Sequence, residues 1–244
     1  MKQNKLRILG LGIVLVLPVF FFFLFRPLSK VPRPKAPKPL FPVDTIQVKN
    51  DKGEVVVDTL YHVIPSQKFQ TQNGDSLELD SLRGSIYVAD FFFASCAGIC
   101  PKLSGSLERV QQAFIKDQKF KILSITVDPQ RDSLAALRHY ASIHNAIPGK
   151  WLFLRNSSDE VYKLAKDGFR LTAQRAGEVV SEEFVHSEKL TLIDWNGNIR
   201  GYYTGTDSAS VVRLMGDIVL LLRYTEKGFN FKEQKKTSKK LFSN

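Results

Sequence analysis

Two kinds of apolar run divide this chain. The first is a single long one, "ILGLGIVLVLPVFFFFLF", Ile8–Phe25, 18 apolar or small residues without a charge. At a rise of about 1.5 Å per residue it nearly spans a hydrocarbon core of about 30 Å, which predicts a membrane helix. The others are short. "SIYVADFFF", Ser85–Phe93, and "KILSITV", Lys121–Val127, have strand length and the near-continuous apolarity of strands covered on both faces. Between them Leu103, Leu107, Val110 and Phe114 recur at helical spacing, with Pro101 suited to a first turn. Further on, Leu134, Leu137 and Tyr140 share one face of a helix predicted over Ser133–His144. Trp151–Leu154 reads as a third strand, and "SDEVYKLAKDGF" as a helix capped by Ser158. Lys189–Asp194 and Ile199–Tyr203 form a hairpin about the turn Asn196–Gly197–Asn198, and Asp207–Arg223 is a closing amphipathic helix. Asn73–Asp75 marks an earlier turn.

Strand, helix, strand, helix, strand, helix, hairpin, helix is the order of an α/β sandwich with helices outside the sheet, compatible with a thioredoxin-like fold preceded by an N-terminal transmembrane helix. The expected organisation is a cytoplasmic N-terminus at 1–7, a transmembrane signal anchor at 8–25, a Pro/Lys-rich linker at 26–43, the thioredoxin-like domain at 44–225 and a basic tail at 226–244. A cleaved signal peptide would have a shorter apolar region followed by a small-residue cleavage site, and "RPLSKVPRPKAPKPLFP" offers none. The linker holds six prolines among basic residues, the composition of an extended, semi-rigid spacer.

Charge changes this picture little. The formal net charge is +11, but residues 1–40 carry eight Lys/Arg and no acid, and residues 232–244 carry five Lys against Glu233. Those two ends hold +12 between them, leaving −1 for residues 41–231. A basic surface interleaved with aromatics is absent from the middle of the chain, which argues against nucleic-acid binding. Arg26, Lys30, Arg33, Lys35 and Lys38 oppose an outward C-terminus under the positive-inside rule. The short N-terminus is nevertheless a poor candidate for crossing, so the bulk of the chain is expected outside the cytoplasm.

The candidate chemistry lies in "DFFFASCAGICPKL", Asp90–Leu103, with the only two cysteines of the chain, Cys96 and Cys100. They occupy a loop leading from a strand into a helix N-terminus, where unpaired N–H groups and the helix dipole favour thiolate. Three readings are open. A disulfide over so small a loop stabilises little. A redox couple usually has two intervening residues, not three. A soft-metal site suits the three-residue spacer, with Gly98 giving the loop freedom to converge two sulfurs on one ion. Two thiolates rarely complete such a site, and the chain has four histidines. On the residues alone His186, in "EEFVHSEKLTLID", reads as an ordinary solvated loop histidine, and His62, His139 and His144 as packed or exposed residues.

"VADFFFASCAGICPKLSG", "ILSITVDPQRDS" and "FVHSEKLTLIDWNGNIRGYYTG", in that order and spacing, closely resemble the SCO/SenC family over roughly Ile64–Leu222. The resemblance implies a membrane-tethered thioredoxin-like domain facing the periplasm. It implies one copper ion per chain, held by the thiolates of Cys96 and Cys100 and the imidazole of His186. It also implies a role in assembling the copper centre of a cytochrome c oxidase subunit, with that subunit as partner. The expected activity is that of a copper metallochaperone. The alternative is a thiol–disulfide oxidoreductase that reduces the oxidase's copper-ligating cysteines through the same pair. Asp128 matches the aspartate of the family's VDPxRD segment, where it either supports the site or shapes the turn. Many relatives have proline after the first cysteine; here it is Ala97, and the loop loses a φ constraint.

Overall fold

The computed structural model describes residues 16–17, 19–23, 35–49, 53–171 and 188–226. The chain forms two compact units, Met1–Lys35 and Ala36–Asn244. In the first, residues 16–17 and 19–23 are helical, and Phe20 meets Phe21, and Phe22 meets Phe23, edge to face. The remainder of the expected span, Ile8–Phe25, lies outside the described residues. Among the described residues no helix is long and apolar enough to cross a membrane.

The second unit opens with a two-stranded antiparallel ribbon, β1 (Pro42–Lys49) and β2 (Val55–Tyr61), that the apolar pattern did not single out. There follow β3 (Lys68–Thr71), β4 (Ser76–Glu78), a 3₁₀ turn (Leu79–Leu82) and β5 (Ile86–Phe92). Then come α1 (Ile99–Ala113), β6 (Phe120–Thr126), α2 (Leu134–Ile143) and β7 (Trp151–Arg155). α3 (Ser158–Lys163) runs into a π turn (Leu164–Gly168), and β8 (Lys189–Ile193), β9 (Ile199–Thr204) and α4 (Ser208–Glu226) close the fold. Seven strands form one sheet in the order β4-β3-β7-β6-β5-β8-β9. β5, β6 and β7 are mutually parallel neighbours, and β8 pairs antiparallel with β5.

Alternation along the fully buried β5 decides the two layers. Ile86, Val88 and Phe92 face a core closed by α1, α2 and α4, whereas Tyr87, Ala89 and Phe91 face one closed by α3 and the 3₁₀ turn. α1 presents Leu103, Leu107 and Val110 to the first core, all essentially without solvent exposure. Such side chains contribute roughly 1.5–3 kcal/mol each on burial. Ser133, expected as the first residue of the helix, is instead its cap and accepts from the Ala136 N–H. For α3 the cap is Ser157 rather than Ser158. Ser157 holds an extended φ/ψ and accepts from the Glu160 N–H, which leaves Ser158 as the first helical residue.

The last residues of the expected linker lie on the sheet. The Leu40 N–H donates to Ile199 O, and Arg200 Nη1 donates to Pro37 O, along the outer strand β9. The β8–β9 hairpin turns about Asp194, whose Oδ1 accepts from the N–H groups of Asn196 and Asn198 while Oδ2 accepts from Arg200 Nε. Gly197 there has φ +81°, a conformation glycine adopts without strain.

Candidate metal and thiol centre

β5 delivers the chain to the carboxyl edge of the parallel strands, and residues 93–98 form the loop that turns it into α1. Cys96 lies in that loop, and its N–H donates to Phe93 O. Cys100 is the second residue of α1. Both are free thiols; Cys100 is 1% exposed and Cys96 9%. Gly98 occupies the N-cap position and supplies no side-chain cap. The first N–H groups of α1 are therefore available to the Cys96 sulfur.

The two thiols differ as a result. Burial works to raise the Cys96 pKa, but it is outweighed by hydrogen bonds to the sulfur from the N–H groups of Cys100, Gly98 and Ile99 and from the Cys100 thiol, so Cys96 sits below the ordinary thiol range. Cys100 is pushed up to about 12, chiefly by burial, with further contributions from Cys96 and from the charge of Asp90. Of the pair, Cys96 is the thiol more easily deprotonated and Cys100 the one that holds its proton more tightly.

One carboxylate reaches this loop directly. Asp132 is 2% exposed, and its Oδ2 accepts from the Ala94 N–H at 3.0 Å and from the Thr126 hydroxyl. It ties the cysteine loop to the end of β6. Asp128 acts on its own turn: its Oδ1 accepts from the Arg131 N–H, its Oδ2 pairs with Arg131 at 3.5 Å, and its own N–H donates to Thr126 Oγ1. Of the two aspartates in "VDPQRD", the second is the one that touches the loop. Asp90 is 1% exposed on β5; its Oδ1 accepts from Ser124 Oγ at 2.5 Å, and Ser124 Oγ accepts from Trp151 Nε1 at 2.9 Å. Burial raises the Asp90 carboxyl to about 7, against the lowering effect of the Ser124 bond. The Tyr140 hydroxyl of α2 pairs with Ser104 of α1 at 3.0 Å.

Sequence reading passed over both Asp90 and Asp132. The signal for Asp90 was a lone acid in an apolar strand, a placement that costs free energy unless the acid is partnered or neutral. Nothing in the local pattern separates Asp132 from Asp128.

The expected third ligand, His186, lies outside the described residues. The other three histidines are elsewhere. His62 Nε2 meets Gly168 O at 2.7 Å, His144 Nδ1 meets Glu108 at 2.7 Å, and His139 is exposed on α2. Among the described residues no group of three or more His, Cys, Asp or Glu could hold a metal ion. Among the described residues the cysteine pair offers two soft donors, and a metal held there would need further donors. Two adjacent thiols beside uncapped N–H groups can bind a soft metal, form a disulfide or attack one.

A model of the SCO1/SenC family matches residues 59–218, and the chain belongs to that family. The SCO1 protein homolog of Bacillus subtilis is 25% identical over 169 residues, 68% of this chain and 86% of that protein. Among solved structures, BsSco, described as having a disulfide switch and as a member of the Sco family of cytochrome c oxidase assembly proteins, superposes with a TM-score of 0.59. It is 21% identical and covers 77% of this chain and 98% of its own. Copper-bound ScoI of Arabidopsis thaliana matches with a TM-score of 0.51 at 18% identity, over 64% of this chain and 98% of that one. These likenesses establish the mixed α/β thioredoxin-like fold that the element order predicted.

Proposed function

We propose that this chain is a membrane-tethered copper metallochaperone. Cys96, Cys100 and His186 bind one copper ion and pass it by ligand exchange to the copper-bearing subunit of a cytochrome c oxidase. The observation that carries this reading is the pair of buried, unbridged thiols at the uncapped start of α1, one held toward thiolate and the other within hydrogen-bonding reach. Copper(I) prefers such donors. Membership of the SCO1/SenC family supports the reading, as do the copper-bound ScoI and the oxidase-assembly description of BsSco. His186 is favoured as third ligand by connectivity. β8 runs antiparallel to β5 with Ala89 opposite Thr191, so its first residue lies at the edge where the cysteine loop leaves β5. His186 precedes Glu188 by two residues, a reach of about 7 Å.

Binding displaces the remaining thiol proton and is lost when the pair is oxidised to a disulfide, since the thiolates are then consumed. The single apolar segment Ile8–Phe25 anchors the domain in the cell membrane with its soluble part facing the periplasm, which confines the search for the partner to two dimensions.

The unequal thiols favour a second reading. In a thiol–disulfide oxidoreductase acting on the partner's cysteines, Cys96 attacks the target disulfide and Cys100 then resolves the mixed disulfide, leaving Cys96–Cys100 oxidised and the target reduced. Anaerobic copper(I) titration of the reduced domain Ala36–Asn244 against a competing chelator separates the two. One equivalent bound, weakened by Cys96→Ser, Cys100→Ser and His186→Ala alike, supports the chaperone. No copper binding together with reduction of a disulfide peptide that survives His186→Ala overturns it in favour of the oxidoreductase.

A further inference from the structure

α1 and α2 face solvent mainly with Lys102, Arg109 and Gln112, and with Arg138, His139 and Ser142. α4 is built differently. Ala209, Val212, Gly216, Val219 and Arg223 recur at alternating steps of three and four residues, and all five are exposed. That is the spacing of a seam along which one helix packs on another. Val212 and Val219 are 59% and 36% exposed, whereas Val211, Leu214, Ile218 and Leu221 on the opposite side are fully buried in the domain's own core. The helix thus carries a second line of small and apolar residues besides the one that holds it to the sheet. Gly216, at the middle of that line, is an independent observation. Glycine inside a helix weakens it relative to alanine. Gly216 has no positive φ, and a Cβ placed there would meet nothing within 4 Å. Neither backbone conformation nor packing within the domain requires it. A missing side chain in an exposed seam does let a second backbone approach closely.

We propose that α4 pairs antiparallel with α4 of a second copy of this chain, the two helices meeting at Gly216. Charge selects both the partner and the orientation. α4 carries Arg213 and Arg223 against Asp217 and Glu226, with Asp207 just before it, a mixed set that suits no partner of a single charge sign. A parallel pair would set Arg213 beside Arg213 and Asp217 beside Asp217. The antiparallel register that places Val212 opposite Val219 of the second copy instead brings Arg213 to within one residue of opposite Asp217. It brings Arg223 to within one residue of opposite Asp207, and the two-fold repeats both pairs. The carboxylates can take part. The Tyr203 hydroxyl holds Asp217 through Oδ2 at 2.7 Å, and Oδ1 is left to accept. Asp207 accepts from the N–H groups of Ala209 and Ser210, and a carboxylate has lone pairs beyond those two. One helix pair buries less than the roughly 800 Å² per partner of a standard interface, so the dimer is weak and reversible.

Sedimentation equilibrium of Ala36–Asn244, the compact unit that contains both cores, tests this. The protein is kept reduced and metal-free, so neither an intermolecular disulfide nor a shared copper ion can join two copies. A reversible monomer–dimer equilibrium is expected, half-associated between about 10 and 300 µM. Gly216→Gln puts its side chain into open space, so the monomer should melt no lower than the parent while association weakens at least about tenfold. Val212→Ser with Val219→Ser should weaken association to a similar degree. In the full chain, p-benzoylphenylalanine at position 212 should cross-link on irradiation to the region of Val219 in a second copy, read by mass spectrometry of mixed isotope-labelled chains. A parent that stays monomeric to about 0.5 mM would overturn the proposal. So would association that Gly216→Gln leaves unchanged, or cross-links that stay within one chain on residues 227–244. None of these outcomes touches copper binding, which is read in the titration above.

Discussion

Replacing Asp90 by Asn should remove one part of this protein's pH dependence. Asp90 is buried on β5 with a single side-chain donor, Ser124, and burial lifts its carboxyl from an ordinary 3.8 to about 7. The folded state therefore holds this proton more tightly than the unfolded chain does. Between about pH 4 and pH 7 the folded form carries more protons, so the contribution of Asp90 to stability is fully present below pH 4. It is lost as pH rises to about 7, with no further change above that. A displacement of roughly three pH units, at about 1.4 kcal/mol per unit, sets an upper value of ~4 kcal/mol. Relaxation around an ionised Asp90 reduces it, and about 2–4 kcal/mol is expected. Asn keeps an oxygen for the Ser124 hydroxyl and carries no charge. Urea unfolding of parent and Asp90→Asn, followed by tryptophan fluorescence from pH 4 to pH 8, gives the difference directly. The variant should gain on the parent steadily up to about pH 7 and hold a constant advantage beyond it. A difference that is flat with pH, or that favours the parent at pH 8, would refute the reasoning that Asp90 is destabilised by its charge.

Asp132→Ala leaves the Ala94 N–H and the Thr126 hydroxyl without their buried acceptor. It should cost about 2–4 kcal/mol, a fall in melting temperature of roughly 5–15 °C by calorimetry, with Asp132→Asn losing less. Asp128→Ala, which gives up only a partly exposed turn contact, should lose under about 1 kcal/mol in the same scans. Iodoacetamide should label Cys96 first, with a rate that rises at lower pH than for an ordinary thiol, while Cys100 stays protected up to about pH 9. Equal labelling of the two by mass spectrometry would contradict that asymmetry. Gly205→Ala sets a Cβ 2.3 Å from Leu103 Cδ2 and 3.0 Å from Leu190 Cγ, under the helix that carries Cys100. Thermal unfolding should show a loss of about 1–3 kcal/mol from overpacking.

The elements and the reactive pair were legible in the sequence because they rest on local signals. Alternation and helical spacing are set by backbone geometry, and β5 to β9 with the four helices lie close to where the pattern put them, whereas β3 and β4 were marked only by the turn Asn73–Asp75 between them. Cys96 and Cys100 stood out because a strand, a short loop and a proline-bearing helix start surround them. The resemblance of three separated segments pointed to the family.

What needed the tertiary structure depends on neighbours far apart in sequence. The order β4-β3-β7-β6-β5-β8-β9 is a matter of pairing, which periodicity does not encode. Because β6 lies beside β5, the turn after it reaches the cysteine loop, and only the geometry of that turn separates Asp132, which accepts from Ala94, from Asp128, which accepts from Arg131. The β1–β2 ribbon went unread because neither strand buries a face against the main cores; the alternation of Ile46 and Val48 with Gln47 and Lys49 is too short to stand out. The difference between the two thiols is of the same kind. Both are cysteines near one helix end, yet Cys96 lies against uncapped N–H groups while Cys100 is sealed into the core beside Asp90, and solvent exclusion by the packed layers separates their protons.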